Sequence, residues 1–247
     1  MKTAKRQRAD MVLLAEGLAP SREKARALIG AGVVYLGERR IDKDGDLIDP
    51  SALLTVRGDP IPFVSRGGVK LEGAIAALGV ATRGRVCADF GASTGGFTDC
   101  LLQRGAVKVH AIDVGYGQLH DKLRADPRVV VRERTNARHL LADALGEWVD
   151  LVVIDASFIG LGKLLPAAQR VVKPDGEILA MVKPQFEVGP KGLKHGVVRE
   201  ATLRTAAIDG VAAEAEALGL RLLGRVDSSL AGPDGNLEAF LWLNRPA

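Results

Sequence analysis

The sequence predicts an α/β protein in which a small N-terminal α/β domain precedes a larger domain built on a doubly wound sheet. From about residue 85 onwards, short apolar runs alternate with helical stretches, which is typical of a doubly wound parallel sheet. Two short helices and a small β part come first, and the Gly/Pro-rich run 58–62 separates these two patterns. We therefore predict domains over residues 1–60 and 61–247.

The first domain is predicted to open with a pair of short helices. Gly17 and Gly32 are placed to end the helices, and Ser21 can cap the second one. A hairpin and one further strand follow. In order, the predicted elements are helices 9–16 and 22–31 and strands 33–36, 39–41 and 53–56.

The second domain contains seven apolar runs that we interpret as strands. The last two follow one another with only a Gly/Pro/Asn loop between them, so we expect an antiparallel hairpin that closes a seven-stranded sheet. The predicted strands are 86–90, 107–112, 129–131, 151–154, 178–182, 220–226 and 238–243.

The charge of this 247-residue chain is unevenly distributed. The formal net charge is +4, and residues 1–26 alone carry seven basic and three acidic side chains, so the remainder is neutral overall. A basic surplus confined to one end is typical of a polyanionic partner such as nucleic acid, although it also suits a solvated end without a function. The hydrophobic content of 47% and charged content of 26% exclude a wholly disordered or coiled-coil chain.

The cysteines and the apolar runs indicate the compartment. Cys87 and Cys100 form neither a C-x-x-C motif nor a cluster of metal-binding spacing, so we expect no disulfide framework and no metal. The first apolar run has five residues, too short for a signal-peptide core, and no stretch approaches the roughly 18 apolar residues of a membrane helix. We expect a cytoplasmic protein without a membrane partner.

Several short motifs in the first domain resemble the S4 RNA-binding domain. They are Arg-Ala-Asp at 8–10, Glu-Gly-Leu-Ala at 16–19, Ser-Arg-Glu-Lys-Ala at 21–25 and Gly-Val-Val at 32–34, and the resemblance covers about residues 5–57. It implies that the two helices present basic side chains to structured RNA, where arginine forks contact phosphates. The expected RNA-binding residues are Arg6, Arg8, Arg22, Lys24, Arg26 and Arg66.

A glycine-rich turn follows the first strand of the second domain. A dinucleotide fingerprint fails there because Ser93 replaces a required glycine, and no phosphate-binding P-loop occurs in the chain. The spacing Asp-x-Gly-x-x-x-Gly resembles motif I of S-adenosylmethionine-dependent methyltransferases, whose glycine turn and helix N-terminus hold the methionyl group. Asp113 ends the second strand, where a carboxylate can accept both ribose hydroxyls. The resulting cofactor-binding set is Asp89, Gly91, Ala92, Ser93, Thr94, Gly95, Gly96, Asp113, Val114, Asn136 and Ala137.

Four charged residues lie where apolar runs end. Lys70 precedes the sheet, Asp155 and Lys183 each follow a strand, and Glu238 opens the last strand. Singly, each suits a solvated strand end. The ordered set resembles the Lys-Asp-Lys-Glu tetrad of FtsJ-like ribose 2′-O-methyltransferases.

The residue types of this set suit methyl transfer to a ribose hydroxyl. Such a hydroxyl is a very weak acid, so an enzyme must orient and deprotonate it in line with the methyl group. A second amine nearby and partial burial both lower the pKa of an amine. Lys183 is therefore our candidate general base; Lys70 is expected to steady the developing alkoxide, Asp155 to orient the base, and Glu238 to position Lys70 or the ribose.

Other acceptors fit the sequence less well. Attack through C5 of cytosine needs a cysteine nucleophile at a later strand end, and neither cysteine lies there. Enzymes that methylate exocyclic amines typically carry [DN]-P-P-[YF], whereas residues 155–158 read Asp-Ala-Ser-Phe. The amine alternative stays open.

Taken together, the motifs resemble the TlyA family, also called haemolysin A, over essentially the whole chain. The resemblance implies 2′-O-methylation of a cytidine in ribosomal RNA. The chain ends at Ala247 without the C-terminal extension of longer members, which favours the large ribosomal subunit. The alternatives are a non-catalytic ribosome-associated RNA-binding factor and a membrane-active haemolysin; the chain carries no long apolar or amphipathic basic segment for the latter.

Overall fold

The computed structural model describes residues 6–57, 62–189, 192–232 and 234–247. The chain divides into two compact units, Met1–Arg66 and Gly67–Ala247. The predicted linker at 58–62 lies, apart from Pro62, outside the described residues. Within those ranges, no helix is long and apolar enough to cross a membrane.

The first unit combines two packed helices with two small antiparallel sheets. Strand β2 pairs with β3 and with β5, while β1 pairs with β4. Leu13, Ile29 and Ile41 are fully buried in its core, and Ser21 Oγ accepts the N–H of Lys24 at 3.1 Å to cap the second helix. The elements are β1 (Gln7–Arg8), α1 (Ala9–Ala15), α2 (Arg22–Gly30), β2 (Val34–Leu36), β3 (Arg39–Arg40), β4 (Leu47–Ile48) and β5 (Leu54–Val56).

The second unit alternates helices and strands before a final strand pair. Two short 3₁₀ turns, Ala137–His139 and Leu161–Lys163, lie between its regular elements. Those elements are α3 (Arg66–Leu78), β6 (Val86–Phe90), α4 (Gly96–Gln103), β7 (Lys108–Ile112), α5 (Asp121–Arg124), β8 (Val129–Arg132), β9 (Val149–Ile154), α6 (Leu165–Val171), β10 (Val172–Val182), α7 (Pro184–Glu187), α8 (Ala201–Ala217), β11 (Arg221–Asp227) and β12 (Ala239–Asn244).

These strands form one seven-stranded sheet in the order β11-β12-β10-β9-β6-β7-β8. The five strands from β10 to β8 are parallel, whereas β12 is antiparallel to both β10 and β11. The predicted doubly wound sheet with a C-terminal antiparallel hairpin is confirmed. A parallel sheet is covered by helices on both faces, so its strands are formed by runs of buried apolar residues.

The two faces of the sheet bury different side chains. Successive strand residues point to opposite faces, so Ala88 and Phe90 join the apolar core that includes residues of α6 and α8. Asp89, between them, contacts α4 instead, where Thr98 Oγ1 donates to its carboxylate at 2.7 Å. A polar group therefore faces the helix that follows the glycine-rich turn.

The carboxyl ends of the parallel strands bring the predicted polar residues to one edge. Gly91 follows β6, Asp113 follows β7, Asp155 follows β9 and Lys183 follows β10. In the β10–β12 pair Val182 lies opposite Ala239, which puts Lys183 and Glu238 side by side at this edge. Ligands bind at this edge in open α/β sheets.

Candidate active site

A cleft of about 420 Å³ opens at the carboxyl ends of β6, β7 and β9. Its volume lies in the range of small-molecule sites, which is about 300–1,000 Å³. Its walls combine the glycine-rich turn, the segments after β7 and β8, and the segment after β9. They include Gly91, Ser93, Asp113, Val114, Asn136, Ala137, Asp155, Ser157 and Phe158.

Position 91 accepts only glycine. Gly91 has a φ of +90°, and a Cβ there would lie 2.5 Å from the carbonyl oxygen of Asp155. The amide of Asp155 also donates to the carbonyl of Phe90 at 3.0 Å, so the two segments are in direct backbone contact. The turn that lines the cleft is therefore packed against the residue that follows β9.

The carboxylate of Asp113 is fixed by backbone hydrogen bonds. Its two oxygens accept the N–H groups of Ser93 at 2.8 Å and Gly115 at 2.7 Å. Asn136 Oδ1 accepts the N–H of Arg138 at 3.1 Å, so the side chain of Asn136 is also anchored. Both polar side chains thus stand in the cleft wall with a defined orientation.

Asp89 lies behind the cleft and is fully buried. Burial raises the pKa of its carboxyl to about 7, and the nearby charges of Asp155 and Asp113 add to the rise, while the hydrogen bond from Thr98 opposes it. Within the described residues its Oδ1 has no hydrogen-bond partner. With a pKa of about 7, this buried acid changes between its protonated and ionised forms around neutral pH.

Lys183 and Asp155 form an ion pair at the end of the cleft. Lys183 Nζ lies 2.5 Å from Asp155 Oδ1 and donates a hydrogen bond to Ser157 Oγ at 2.9 Å. The lysine side chain is 11% exposed and the aspartate 24%. Lys183 Nζ therefore has two partners, and both of them line the cleft.

Lys70 and Glu238 form a second, more deeply buried ion pair. Lys70 lies in the second turn of α3, Glu238 directly precedes β12, and the two side chains are hydrogen-bonded to each other. They are only 8% and 2% exposed. Charges buried to this degree are stable only when paired.

Arg204 in α8 holds the backbone that carries Glu238. Its guanidinium donates to the carbonyls of Leu237 at 2.9 Å and Glu238 at 3.3 Å, and it pairs with Asp227. Sequence reasoning missed Arg204 and also Ser157. Arginine within a helix is ordinarily a solvated residue, so nothing in the sequence distinguishes this one.

The Lys-Pro-Gln-Phe-Glu run that begins at Lys183 forms the short helix α7. Glu187 Oε1 accepts the N–H of Leu161 at 2.9 Å. Burial raises the pKa of Glu187, and the charge of Glu214 adds to the rise, although the Leu161 N–H opposes it. Glu187 thus holds the 3₁₀ turn that precedes α6.

Both cysteines are buried away from this edge. Burial raises the pKa of Cys87 to about 12, and burial together with Glu72 raises the pKa of Cys100. Thiols of this kind are poor nucleophiles. Across the ranges that the structure covers, no group of three or more His, Cys, Asp or Glu side chains can hold a metal ion.

Comparisons with known proteins identify the family. Residues 63–245 match the FtsJ-like methyltransferase family, and residues 7–54 match the S4 domain. This chain belongs to the FtsJ-like methyltransferase family. The FtsJ-like match spans the whole sheet, the cleft and all four charged residues, so the chain is a methyltransferase with an N-terminal S4 domain.

Similar proteins cover most of the chain. A relative from Mycobacterium tuberculosis, named 16S/23S rRNA (cytidine-2′-O)-methyltransferase TlyA, is 50% identical over 97% of this chain and 90% of its own length. Hemolysin A from Brachyspira hyodysenteriae is 36% identical over 94% of this chain and 97% of its own. A solved structure from Streptococcus thermophilus is 38% identical with a TM-score of 0.78, covering 98% of this chain and 89% of that one. The expected resemblance to the TlyA family is confirmed.

Four of the five arginines in the predicted RNA-binding set form ion pairs. Arg8 and Arg22 pair with Asp10, Arg26 pairs with Asp44, and Arg66 pairs with Asp42 at 3.3 Å. Arg6 and Lys24 are exposed and form no ion pair within the described residues. The basic face expected from the sequence therefore contains embedded carboxylates, which a count of charges does not show.

Proposed function

We propose that this FtsJ-like methyltransferase transfers a methyl group from S-adenosylmethionine to the 2′-hydroxyl of a cytidine in ribosomal RNA. The observation that carries the proposal is the Lys183–Asp155 pair at the end of the cleft. The names of similar proteins and the S4 domain support the RNA substrate. Such a substrate places the enzyme in the cytoplasm.

The residues of the cleft fit S-adenosylmethionine. Gly91 lets the turn pack directly against the Asp155 backbone, where a Cβ would clash, and so fixes the wall that would face the methionyl part. Asp113, held by two N–H groups, would accept the ribose hydroxyls, and Asn136 would lie beside the adenine. The remaining turn residues of the predicted set, with Asp89 behind them, would shape this seat. When bound, the group supplies a methyl carbon activated by a sulfonium.

Lys183 acts as the general base in this proposal. In its neutral form, the Lys183 amine would accept the proton of the 2′-hydroxyl while the oxygen forms its bond to the methyl carbon. The carbon–sulfur bond would break at the same time with its electron pair on sulfur, and the lysine would end as an ammonium. Asp155 and Ser157 orient Nζ toward the acceptor. General acid–base catalysis of this kind contributes about 10²–10⁴-fold to the rate.

Lys70 and Glu238 serve as the electrostatic part of the site. The Lys70 ammonium steadies the developing negative charge on the ribose oxygen, and Glu238 fixes Lys70 in place. Burial strengthens such interactions because less water screens them.

Methyl transfer to isolated ribosomal subunits tests the proposal. Wild type is incubated with methyl-labelled S-adenosylmethionine and separate large or small subunits, and the labelled nucleotide is mapped. We expect label on a cytidine ribose, with the large subunit as the preferred substrate. Label on a base amine would replace the acceptor by an exocyclic amine. Binding of RNA without transfer to either subunit would instead support the non-catalytic factor.

A further inference from the structure

Two aspartates lie at the centre of the arginines in the S4 domain. Asp10 is 0% exposed, and it accepts Nε and Nη2 of Arg8 at 3.0 and 3.1 Å and Nε of Arg22 at 2.9 Å. Asp44 accepts Arg8 Nη2 at 2.8 Å and lies 3.0 Å from Nε of Arg26. Arg8 therefore bridges both carboxylates, and the three arginines form one connected array.

Within this array, Arg22 and Arg26 contact their aspartates through Nε, the guanidinium nitrogen nearest the side-chain stem. Arg22 and Arg26 lie one helical turn apart in α2, on the same face. Each contacts its aspartate through Nε, and neither donates a hydrogen bond from Nη1 or Nη2 to any described residue. Their side chains are 53% and 55% exposed. Both forks stay available for an oxyanion.

The surrounding backbone is built for this arrangement. A Cβ on Gly45 would lie 3.0 Å from Arg8 Nη1, so glycine leaves the space that the Arg8 side chain needs. Burial tends to raise the pKa of Asp10, but hydrogen bonds from Arg8 and Arg22 lower it overall, so this carboxylate stays charged. A charged, buried acid that touches two arginines is a fixed anchor for both.

We propose that Asp10 and Asp44 are positioning residues that preorganise Arg8, Arg22 and Arg26 as one site for neighbouring phosphates of the RNA. The inference rests on the proposed function, because it names the atoms with which the S4 domain would hold its substrate. Arginine forks pair with phosphate through two parallel hydrogen bonds, and a fork fixed beforehand loses less rotamer freedom on binding. The acids therefore strengthen RNA binding although they oppose it in charge.

The proposal predicts that removal of an acid weakens RNA binding, which is opposite to the ordinary effect of charge. Removal of an acid from an RNA-binding surface ordinarily raises affinity, because the phosphates meet a more positive protein. We expect the opposite for Asp10→Asn in the full chain: about tenfold weaker binding to protein-free 23S ribosomal RNA. The slope of log K against log salt concentration should become shallower by about one for each lost phosphate contact.

Glu23→Gln is the matched control. Glu23 is exposed in α2 beside the same arginines, forms no ion pair within the described residues, and loses the same charge in the variant. We expect this variant to bind the RNA as tightly as wild type or more tightly, with an unchanged salt slope.

Folding is checked for each variant by circular dichroism and thermal unfolding. Asp44 is 36% exposed, so Asp44→Asn is a gentler change, and we expect about threefold weaker binding from it. RNA binding by folded Asp10→Asn that equals or exceeds that of wild type overturns the inference. If Asp10→Asn does not fold, the same result from Asp44→Asn overturns it. Wild type that binds this RNA but methylates neither subunit contradicts the proposed function alone.

Discussion

The two lysine–carboxylate pairs of the catalytic domain differ in their access to the cleft. Lys183 and Asp155 are partly exposed, and Asp155 lines the cleft together with Ser157. Lys70 and Glu238 are almost completely buried, between α3 and the start of β12. The same pair of residue types thus occurs once beside the cleft and once almost completely out of contact with solvent.

This difference separates a chemical role from an electrostatic one. A proton acceptor has to come within hydrogen-bond distance of the reacting hydroxyl. A buried charge needs no such contact, but it depends on its partner for stability. Substitutions in the open pair, Lys183 and Asp155, should therefore reduce catalysis while the fold persists. Substitutions in the buried pair, Lys70 and Glu238, should reduce both catalysis and stability.

Lys183→Ala should produce the largest effect. We expect the methyl-transfer rate at saturating RNA to fall by about 10²–10⁴-fold, because the general base is lost. The dissociation constant for S-adenosylmethionine, measured by calorimetry, should change by less than about threefold, which is under 1 kcal/mol. Lys163→Ala, which removes an exposed lysine from the turn before α6, is the control. Turnover near the wild-type rate would contradict the assignment of Lys183.

Lys70→Met should lower the free energy of unfolding by about 3–5 kcal/mol, because Glu238 is left buried without a partner. Adding Glu238→Leu should recover most of that loss, since an apolar pair of similar volume needs no compensation. Both variants should remain inactive. Urea denaturation measures the stability, and full activity in the stable double variant would show that the buried pair is structural only.

The buried acid Asp89 is affected by the negative charge of Asp155, the acid of the partly exposed pair. The folded pKa of Asp89 is about 7, above the value of 3.8 that a free aspartate has. Its stabilising contribution is therefore fully present below about pH 4 and is lost as the pH rises through 7. We expect the unfolding free energy of wild type to fall by a few kcal/mol over this window.

Asp89→Asn should remove that decline. The variant should be more stable than wild type above pH 7 and similar to it near pH 4, as measured by urea denaturation across the pH range. Asp143→Asn, a change at an exposed acid, is the control. A parallel pH dependence of wild type and Asp89→Asn would show that the carboxyl is ionised throughout.

Arg204→Ala should give the smallest effect. Loss of the contacts to Leu237 and Glu238 should let the buried pair shift, and we expect a fall in kcat of about tenfold. KM for RNA and cofactor affinity should be unchanged, and Arg204→Lys should recover part of the rate. Arg225→Ala is the control, since Arg225 is an exposed residue paired with Asp209. Equal losses in all three parameters would indicate a general folding defect.

The sheet was predictable because its strands are buried. Runs such as residues 151–154 of β9 are apolar on both faces, which is the pattern of a parallel strand covered by helices. Strands β1 and β4 were not predicted, since two-residue strands carry no periodicity. Strands β1 and β4 form because the fold brings these two segments side by side, and no local sequence pattern predicts that pairing.

The site residues were predictable as types, but their neighbours were not. Lys183 and Asp155 each follow a strand of a parallel sheet, and strand ends meet at one edge. The register that places Val182 opposite Ala239 is a tertiary fact, and so are the contacts of Arg204 and Ser157. The sequence did not reveal the carboxylates among the S4 arginines. A count of charges only subtracts Asp10 from the total and does not show that Asp10 pairs with Arg8 and Arg22.

The backbone contact between Gly91 and Asp155 links the proposed cofactor-binding turn to the proposed general base, Lys183. Any side chain at position 91 would push against the Asp155 carbonyl, and so would disturb the carboxylate that orients Lys183. A substitution at position 91 would therefore affect Lys183 indirectly, through Asp155. Under the proposed mechanism, a descendant with a side chain at position 91 would lose both methyl-donor binding and the oriented base, and only RNA binding would remain.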